Sequence, residues 1–156
     1  MSKSIVRPTL ALAGLIMLGG LAQAQNAPRP ENYCLSSPNS FGSGATMGWL
    51  GSVQIGVNDF TLFVGGAVPE STGMFIYGTD VQRLPFGSGF LCIAPPVQRL
   101  SGVVSVSDAG DAMYAIDLGI DANAMFAAGT SWNFQFWYRD GRSFNLSDGL
   151  NVVFAR

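Results

Sequence analysis

Residues 129–140 read GTSWNFQFWYRD, and this stretch decides the predicted fold class. Two sets of side chains alternate along it, Trp132, Phe134, Phe136 and Tyr138 against Asn133, Gln135, Trp137 and Arg139. A repeat of two residues is typical of a β-strand, because successive side chains point to opposite faces of a sheet. We therefore predict a strand here, with the first set of side chains in a hydrophobic core.

Outward from this strand, further short strands follow one another between turn residues. Alternation at residues 53–57 and 60–64, around Asn58-Asp59, predicts a hairpin. The apolar run TGMFIYG at residues 72–78 predicts a strand buried on both faces, and residues 112–118 and 150–154 predict two more. Residues 120–129 fit either a helical turn or a crossover loop. The pattern predicts an all-β fold, an antiparallel β-sandwich or jelly roll of about seven or eight strands.

The start of the chain has the features of an export signal. Lys3 and Arg7 precede an apolar run at residues 10–21, and Ala22-Gln23-Ala24 supplies small residues for cleavage. The run is shorter than the roughly 20 residues that a membrane-spanning helix needs. We predict a removed signal peptide at residues 1–24, an extended leader at 25–33 with Pro28 and Pro30, and one domain at 34–156. The mature protein is then secreted or held at the cell surface, with no membrane span.

Charge and cysteine content limit the classes of binding partner and indicate the cellular compartment of the protein. After residue 24 the chain has six arginines, ten acidic residues and neither lysine nor histidine. An acidic balance disfavours nucleic acid and anionic membranes as partners. Cys34 and Cys92 are the only cysteines, and in an oxidising compartment we expect them to form a disulfide.

The missing side chains exclude several classes of enzyme. Without histidine, Ser-His-Asp and Cys-His catalysis and imidazole-based zinc sites are impossible. Without lysine in the mature chain, Schiff-base chemistry is excluded as well. Most of the carboxylates lie in predicted turns, where such groups bond their own backbone, although a glycosidase pair is an alternative. We predict a non-enzymatic protein without a cofactor.

Two groups of residues are candidates for a site. Asp108 and Asp111 share one turn and are a weak candidate for calcium, although no calcium-loop motif surrounds them. Trp137 shares a predicted strand face with Asn133, Gln135 and Arg139, a combination that suits a sugar-binding platform. The alternative is an outer sheet face covered by a loop or by a neighbouring subunit. Residues 145–147 also match the N-glycosylation sequon, a short motif that often arises by chance.

The words WNFQFWYRD (132–140) and FNLSDGL (144–150) also carry a resemblance, as do CLSSPNSFGSGATMGW (34–49) and LPFGSGFLCI (84–93). Together they resemble a β-sandwich domain that recurs in exported proteins of planctomycetes and other bacteria. The resemblance implies export, paired cysteines and the sandwich fold. It implies no catalytic residue, and members of that family often carry more cysteines than the single pair present here.

Two functions follow as expectations. The first is an exported, non-enzymatic structural or interaction module, with copies of itself as partners in one version. The second is a carbohydrate-binding sandwich that contacts surface polysaccharide through Trp137, Asn133, Gln135 and Arg139.

Overall fold

The computed structural model describes residues 29–119 and 126–156. The predicted signal peptide and residues 25–28 of the leader lie outside these ranges. The described residues form eleven strands, eight of them of four residues or longer, and no helix. The strands are β1 (Glu31–Tyr33), β2 (Thr46–Leu50), β3 (Thr61–Gly65), β4 (Thr72–Gly78), β5 (Val81–Phe86), β6 (Gly89–Ile93), β7 (Gln98–Arg99), β8 (Val104–Ser105), β9 (Ala112–Ala115), β10 (Ser131–Asp140) and β11 (Ser143–Val153).

The largest sheet is built around the long hairpin of β10 and β11. Its strand order is β1-β11-β10-β4-β7, with β8 also paired to β4, and all of its pairs are antiparallel. The hairpin turns where the sequence predicts it, at Gly141 and Arg142, since Asp140 pairs with Ser143. Gly141 has a φ of 58°, a left-handed conformation that glycine adopts without steric cost.

A second, three-stranded sheet in the order β2-β3-β9 packs on one face of the large sheet, and the main hydrophobic core lies between them. The large sheet contributes Phe75, Tyr77, Trp132, Phe134, Phe136, Tyr138, Leu150 and Val152, and the small sheet Met47, Leu62, Val64 and Ala112. The predicted aromatic face of β10 is therefore buried, and the all-β sandwich-like fold is confirmed.

The hairpin of β5 and β6 lies on the opposite face of the large sheet, which we call the outer face. Beneath it a second apolar cluster joins Ile93 of β6 to Ile76 and Leu146 of the large sheet. Cys92 of β6 forms the predicted disulfide with Cys34, the residue directly after β1, with the two Cα atoms 6.4 Å apart. One end of the hairpin is thus bonded covalently to the edge of the large sheet.

Two sequence predictions differ from the structure, and a third lies mostly outside the described residues. The partner of β3 is β2 and not the segment at residues 53–57, which makes only one bridge, from Gln54 to Ala155. Glu31–Tyr33 of the predicted leader pairs with β11, so the sheet begins before residue 34. Within residues 120–129 only 126–129 are described, and Phe126 is buried in the main core.

Candidate binding groove on the outer sheet face

The outer face of the large sheet is only partly covered by the β5–β6 hairpin, and the uncovered part forms an open groove of about 410 Å³. Strand pairing shows which side chains share this face. Trp137 pairs with Met74 of β4, and Arg139 pairs with Phe144 of β11. Paired residues and residues two apart on a strand share a face, so these four side chains form one patch.

Arg99 joins this patch from the neighbouring strand. It pairs with Ile76, which lies two residues from Met74 on β4. The Arg99 guanidinium carbon lies 5.5 Å from the centroid of the Trp137 ring, within the range of a cation–π contact. Val103, with 65% of its surface exposed, lines the groove beside these residues.

Trp137 is half-buried and packs against two aromatic rings. Its centroid lies 5.7 Å from that of Phe86 on the hairpin and 5.4 Å from that of Phe144. Phe86 and Phe144 also contact each other at 5.0 Å. Trp137 and Phe144 pack against the second apolar cluster, and both also line the groove.

A β-bulge fixes the position of Trp137 on β10. Gln135 pairs with Gly149 whereas Trp137 pairs with Leu146, so the register shifts between them. The Ser147 hydroxyl accepts a hydrogen bond from the Phe136 backbone N–H at 2.9 Å and donates one to the Asp148 carbonyl at 2.7 Å. The irregular backbone is thus satisfied internally, as buried polar groups require.

Two of the four predicted ligand residues lie outside the groove. Gln135 is fully buried under the hairpin, where its Nε2 donates to the carbonyls of Phe90 and Ser147 at 2.8 and 2.7 Å. Asn133 is also buried and donates to the Thr79 carbonyl at 3.0 Å. The structure therefore does not bring the four predicted residues together on one exposed surface, because Asn133 and Gln135 are buried. Trp137 and Arg139 do line the groove.

The groove residues that the sequence analysis missed include Arg99, Met74, Val103 and Phe144. Local patterning gives no sign of Arg99, because its place depends on a two-residue strand that pairs with β4. Phe144 could have been predicted from the sequence, since the predicted turn at 140–142 places it nearly opposite Arg139.

The calcium candidates are ordinary turn residues. Asp108 is exposed and Asp111 is half-buried in the turn between β8 and β9. The backbone N–H of Asp111 donates to the Ser107 hydroxyl at 3.1 Å, and the Ser107 N–H donates to the Asp111 carbonyl at 2.8 Å. Within residues 29–119 and 126–156, no group of three or more His, Cys, Asp or Glu side chains is placed to hold a metal ion.

Among the described residues, Asp148 is the one buried carboxylate, and it holds strands together. Asp148 on β11 accepts hydrogen bonds from the Met47 backbone N–H at 2.7 Å and from Asn32 Nδ2 at 2.9 Å. It thereby connects β1 and β2 to β11. Burial raises the pKa of Asp148 above its ordinary value, and the two hydrogen bonds partly oppose that rise.

The sequon at residues 145–147 lies inside β11. Asn145 is fully buried, and its Nδ2 donates to the Pro38 carbonyl at 3.0 Å. In the folded protein this amide is inaccessible to a glycan-transferring enzyme.

Comparisons with protein-family models, with curated proteins and with solved structures find no match to this chain. No helix of the described residues combines the length and hydropathy needed to cross a membrane.

Proposed function

We propose that this protein is an exported, non-enzymatic interaction module that binds sugar chains in the groove at Trp137. The observation that carries the proposal is a half-buried indole that lines an open groove, packed edge-on against Phe86 and Phe144 and with the Arg99 guanidinium over its ring. A flat aromatic face of this kind can stack on the C–H face of a sugar ring, since aromatic rings present a negative face to weakly positive C–H groups.

The groove supports binding better than catalysis. Hydrolysis of a glycosidic bond needs two carboxylates across a cleft. Among the described residues, none of those that line this groove is an aspartate or a glutamate. Asp148, the buried carboxylate, is engaged with Met47 and Asn32 between strands.

Export is part of the proposal and has separate support. The disulfide between Cys34 and Cys92 suits an oxidising compartment, and the first residues of the sequence have the pattern of a signal peptide. Secretion is tested by expressing the full chain in a bacterial host and determining the N-terminus of the exported product. We expect the mature protein to begin at Gln25, whereas retention of the full chain in the cytoplasm would contradict this part.

Sugar binding is tested by electrophoresis through gels that contain a polysaccharide, over a panel of neutral and acidic chains. We expect at least one chain to retard the oxidised protein and Trp137→Ala to abolish the retardation. Because Trp137 also packs on Phe86 and Phe144, Trp137→Leu is the second variant, since it keeps apolar contact without the flat ring.

Phe41→Ala supplies the matched control, because Phe41 is an exposed ring in the loop between β1 and β2. It should leave retardation unchanged. Loss of retardation in Phe41→Ala, or its persistence in both Trp137 variants, would place binding elsewhere. Urea unfolding of each variant tests whether the fold is retained.

A second candidate function is self-assembly through the β5–β6 hairpin. Val81 and Leu84 of its outer strand are 60% and 53% exposed, and Phe86 is 37% exposed. Pro85 and the irregular register between Val81 and Leu84 oppose direct strand-to-strand pairing at this edge, so copies would meet through side chains. Light scattering on a sizing column distinguishes the candidates: ordered oligomers that Leu84→Glu disperses favour assembly, and a monomer at micromolar concentration excludes it.

A further inference from the structure

The groove at Trp137 concentrates positive charge in an acidic protein. The whole chain has a net charge of −2, and removal of the predicted signal peptide makes the chain more acidic. Yet Arg99 and Arg139 line this one groove, and both are exposed. Neither guanidinium forms an ion pair or a hydrogen bond with another residue that the structure describes, and the Arg99 guanidinium lies over the Trp137 ring.

The two cations flank the indole. Arg99 approaches it from β7, on the far side of β4. Arg139 lies two residues beyond Trp137 on β10, a rise of about 7 Å along the strand. A ligand that contacts the indole in the groove therefore lies near both guanidiniums, and no described carboxylate in the groove lining competes for either one.

From this arrangement we infer that the groove binds an acidic sugar chain, one whose rings carry carboxylate or sulfate groups. The inference rests on the proposed function and names its ligand class. A planar guanidinium pairs with an anionic oxyacid through two parallel hydrogen bonds, and such charge-assisted bonds are stronger than neutral ones. A sugar ring stacks on the indole, and anionic groups on it or on its neighbours pair with Arg99 and Arg139.

The backbone around the groove disfavours an extended acidic peptide. Peptides that bind β-sheets commonly add a strand at an open edge and use its backbone N–H and C=O groups. Here β10 is paired on both sides, to β4 and β11, and β4 is paired to β10 on one side and to β7 and β8 on the other. The groove therefore offers side chains on the face of a sheet, which suits a ligand recognised by rings and charges.

Two matched pairs of polymers test the inference. The first is polygalacturonate against its fully methyl-esterified form, and the second is dextran sulfate against dextran. Each pair changes the charge and keeps the sugar backbone. We expect at least one acidic member to bind the oxidised protein at least tenfold more tightly than its neutral partner, with affinity that falls as salt is added.

Charge variants show whether the groove carries that preference. Arg99→Gln and Arg139→Gln should each weaken binding of the acidic chain about tenfold, since each removes one charge-assisted contact. Arg83→Gln is the matched control. It removes the same charge from the β5–β6 hairpin, where the guanidinium lies 3.8 Å from the centroid of Phe90, and should leave binding unchanged.

The outcomes separate this inference from the proposed function. Equal binding of charged and neutral partners, lost in Trp137→Leu, keeps the sugar-binding function and overturns the acidic preference. Acidic binding that Arg83→Gln weakens as much as Arg99→Gln also overturns the inference, because it reports overall charge. Binding of poly-glutamate as tight as that of polygalacturonate, and lost in the same variants, replaces the sugar chain with a polypeptide. If the protein binds none of the acidic polymers, the inference is overturned. If it also binds none of the neutral chains, the proposed sugar-binding function is overturned as well.

Discussion

The side-chain carbonyl of Gln135 accepts a hydrogen bond from the backbone N–H of Cys92 at 3.0 Å. Gln135 lies on β10 and Cys92 on β6, so one buried amide attaches the β5–β6 hairpin to the outer face of the large sheet. The same amide donates to Phe90 and to Ser147, which satisfies its polar atoms where water is excluded. Gln135 and the disulfide together hold the hairpin whose Phe86 packs against Trp137.

Removing the Gln135 amide should destabilise the fold. Gln135→Ala leaves the Cys92 N–H and the Phe90 and Ser147 carbonyls without this partner, and we expect the free energy of unfolding to fall by about 2–4 kcal/mol. The measurement is urea unfolding followed by circular dichroism. Gln54→Ala is the control, since Gln54 is exposed, and it should change stability by no more than about 0.5 kcal/mol. Equal effects of the two variants would show that the buried amide contributes nothing.

The disulfide should contribute a comparable amount. It closes a loop of 58 residues, and the double variant Cys34→Ala/Cys92→Ala should lose about 2–4 kcal/mol because its unfolded chain is less restricted. Urea unfolding of the wild type with and without a reductant should give a similar difference. The double variant should show no such response to the reductant, and any response would point to an effect other than disulfide cleavage.

Gly149 on β11 should tolerate no side chain while Tyr33 is present. A Cβ at this position would collide with the Tyr33 ring, whose hydroxyl donates to the Cys92 carbonyl at 3.2 Å. We expect Gly149→Ala to cost about 1–3 kcal/mol, and much less in a Tyr33→Ala background. The four proteins form a double-mutant cycle in urea. Gly56→Ala, where the added Cβ meets open space, is the control. An equal cost of Gly149→Ala in both backgrounds would rule out the collision as its cause.

Stability should depend on pH through Asp148. Its pKa is raised in the folded state, so on raising the pH the unfolded chain ionises first. The free energy of unfolding therefore keeps its full value below the ordinary pKa of 3.8. It falls as the pH rises from there through the raised pKa. We expect Asp148→Asn to flatten this decline when urea unfolding is measured at pH values from 3.8 upward. Asp108→Asn, at an exposed turn position, controls for the change in net charge. If stability declines with pH by the same amount in Asp148→Asn, the decline is caused by other titratable groups.

Local patterning predicted the elements whose burial follows from their own residues. The aromatic alternation of β10 and the apolar run of β4 each indicate a strand without knowledge of its partners, and both strands are present. The pairing of Cys34 with Cys92 followed from there being only two cysteines. These predictions needed no information about which strands are neighbours.

Predictions that depended on tertiary neighbours were less successful. Residues 53–57 alternate as a strand does, but β3 is paired on both sides, by β2 and β9, and leaves them only one bridge. Alternation also placed Asn133, Gln135 and Trp137 on one face correctly. It could not show that a hairpin about 45 residues earlier in the chain covers Gln135, or that the turn before that hairpin engages Asn133.

The groove is built from two kinds of residue, and this division affects how the protein can vary. Trp137 and Phe144 pack in the second apolar cluster, so their replacement affects folding and recognition together. Arg99, Val103 and Arg139 are exposed and belong to neither apolar cluster. Substitution at these three positions can therefore change the charge and shape presented to a ligand while the sandwich stays intact. The aromatic residues of the groove are fixed by the fold, whereas its exposed residues can be exchanged. Binding specificity can therefore diverge, or be engineered, without loss of the fold.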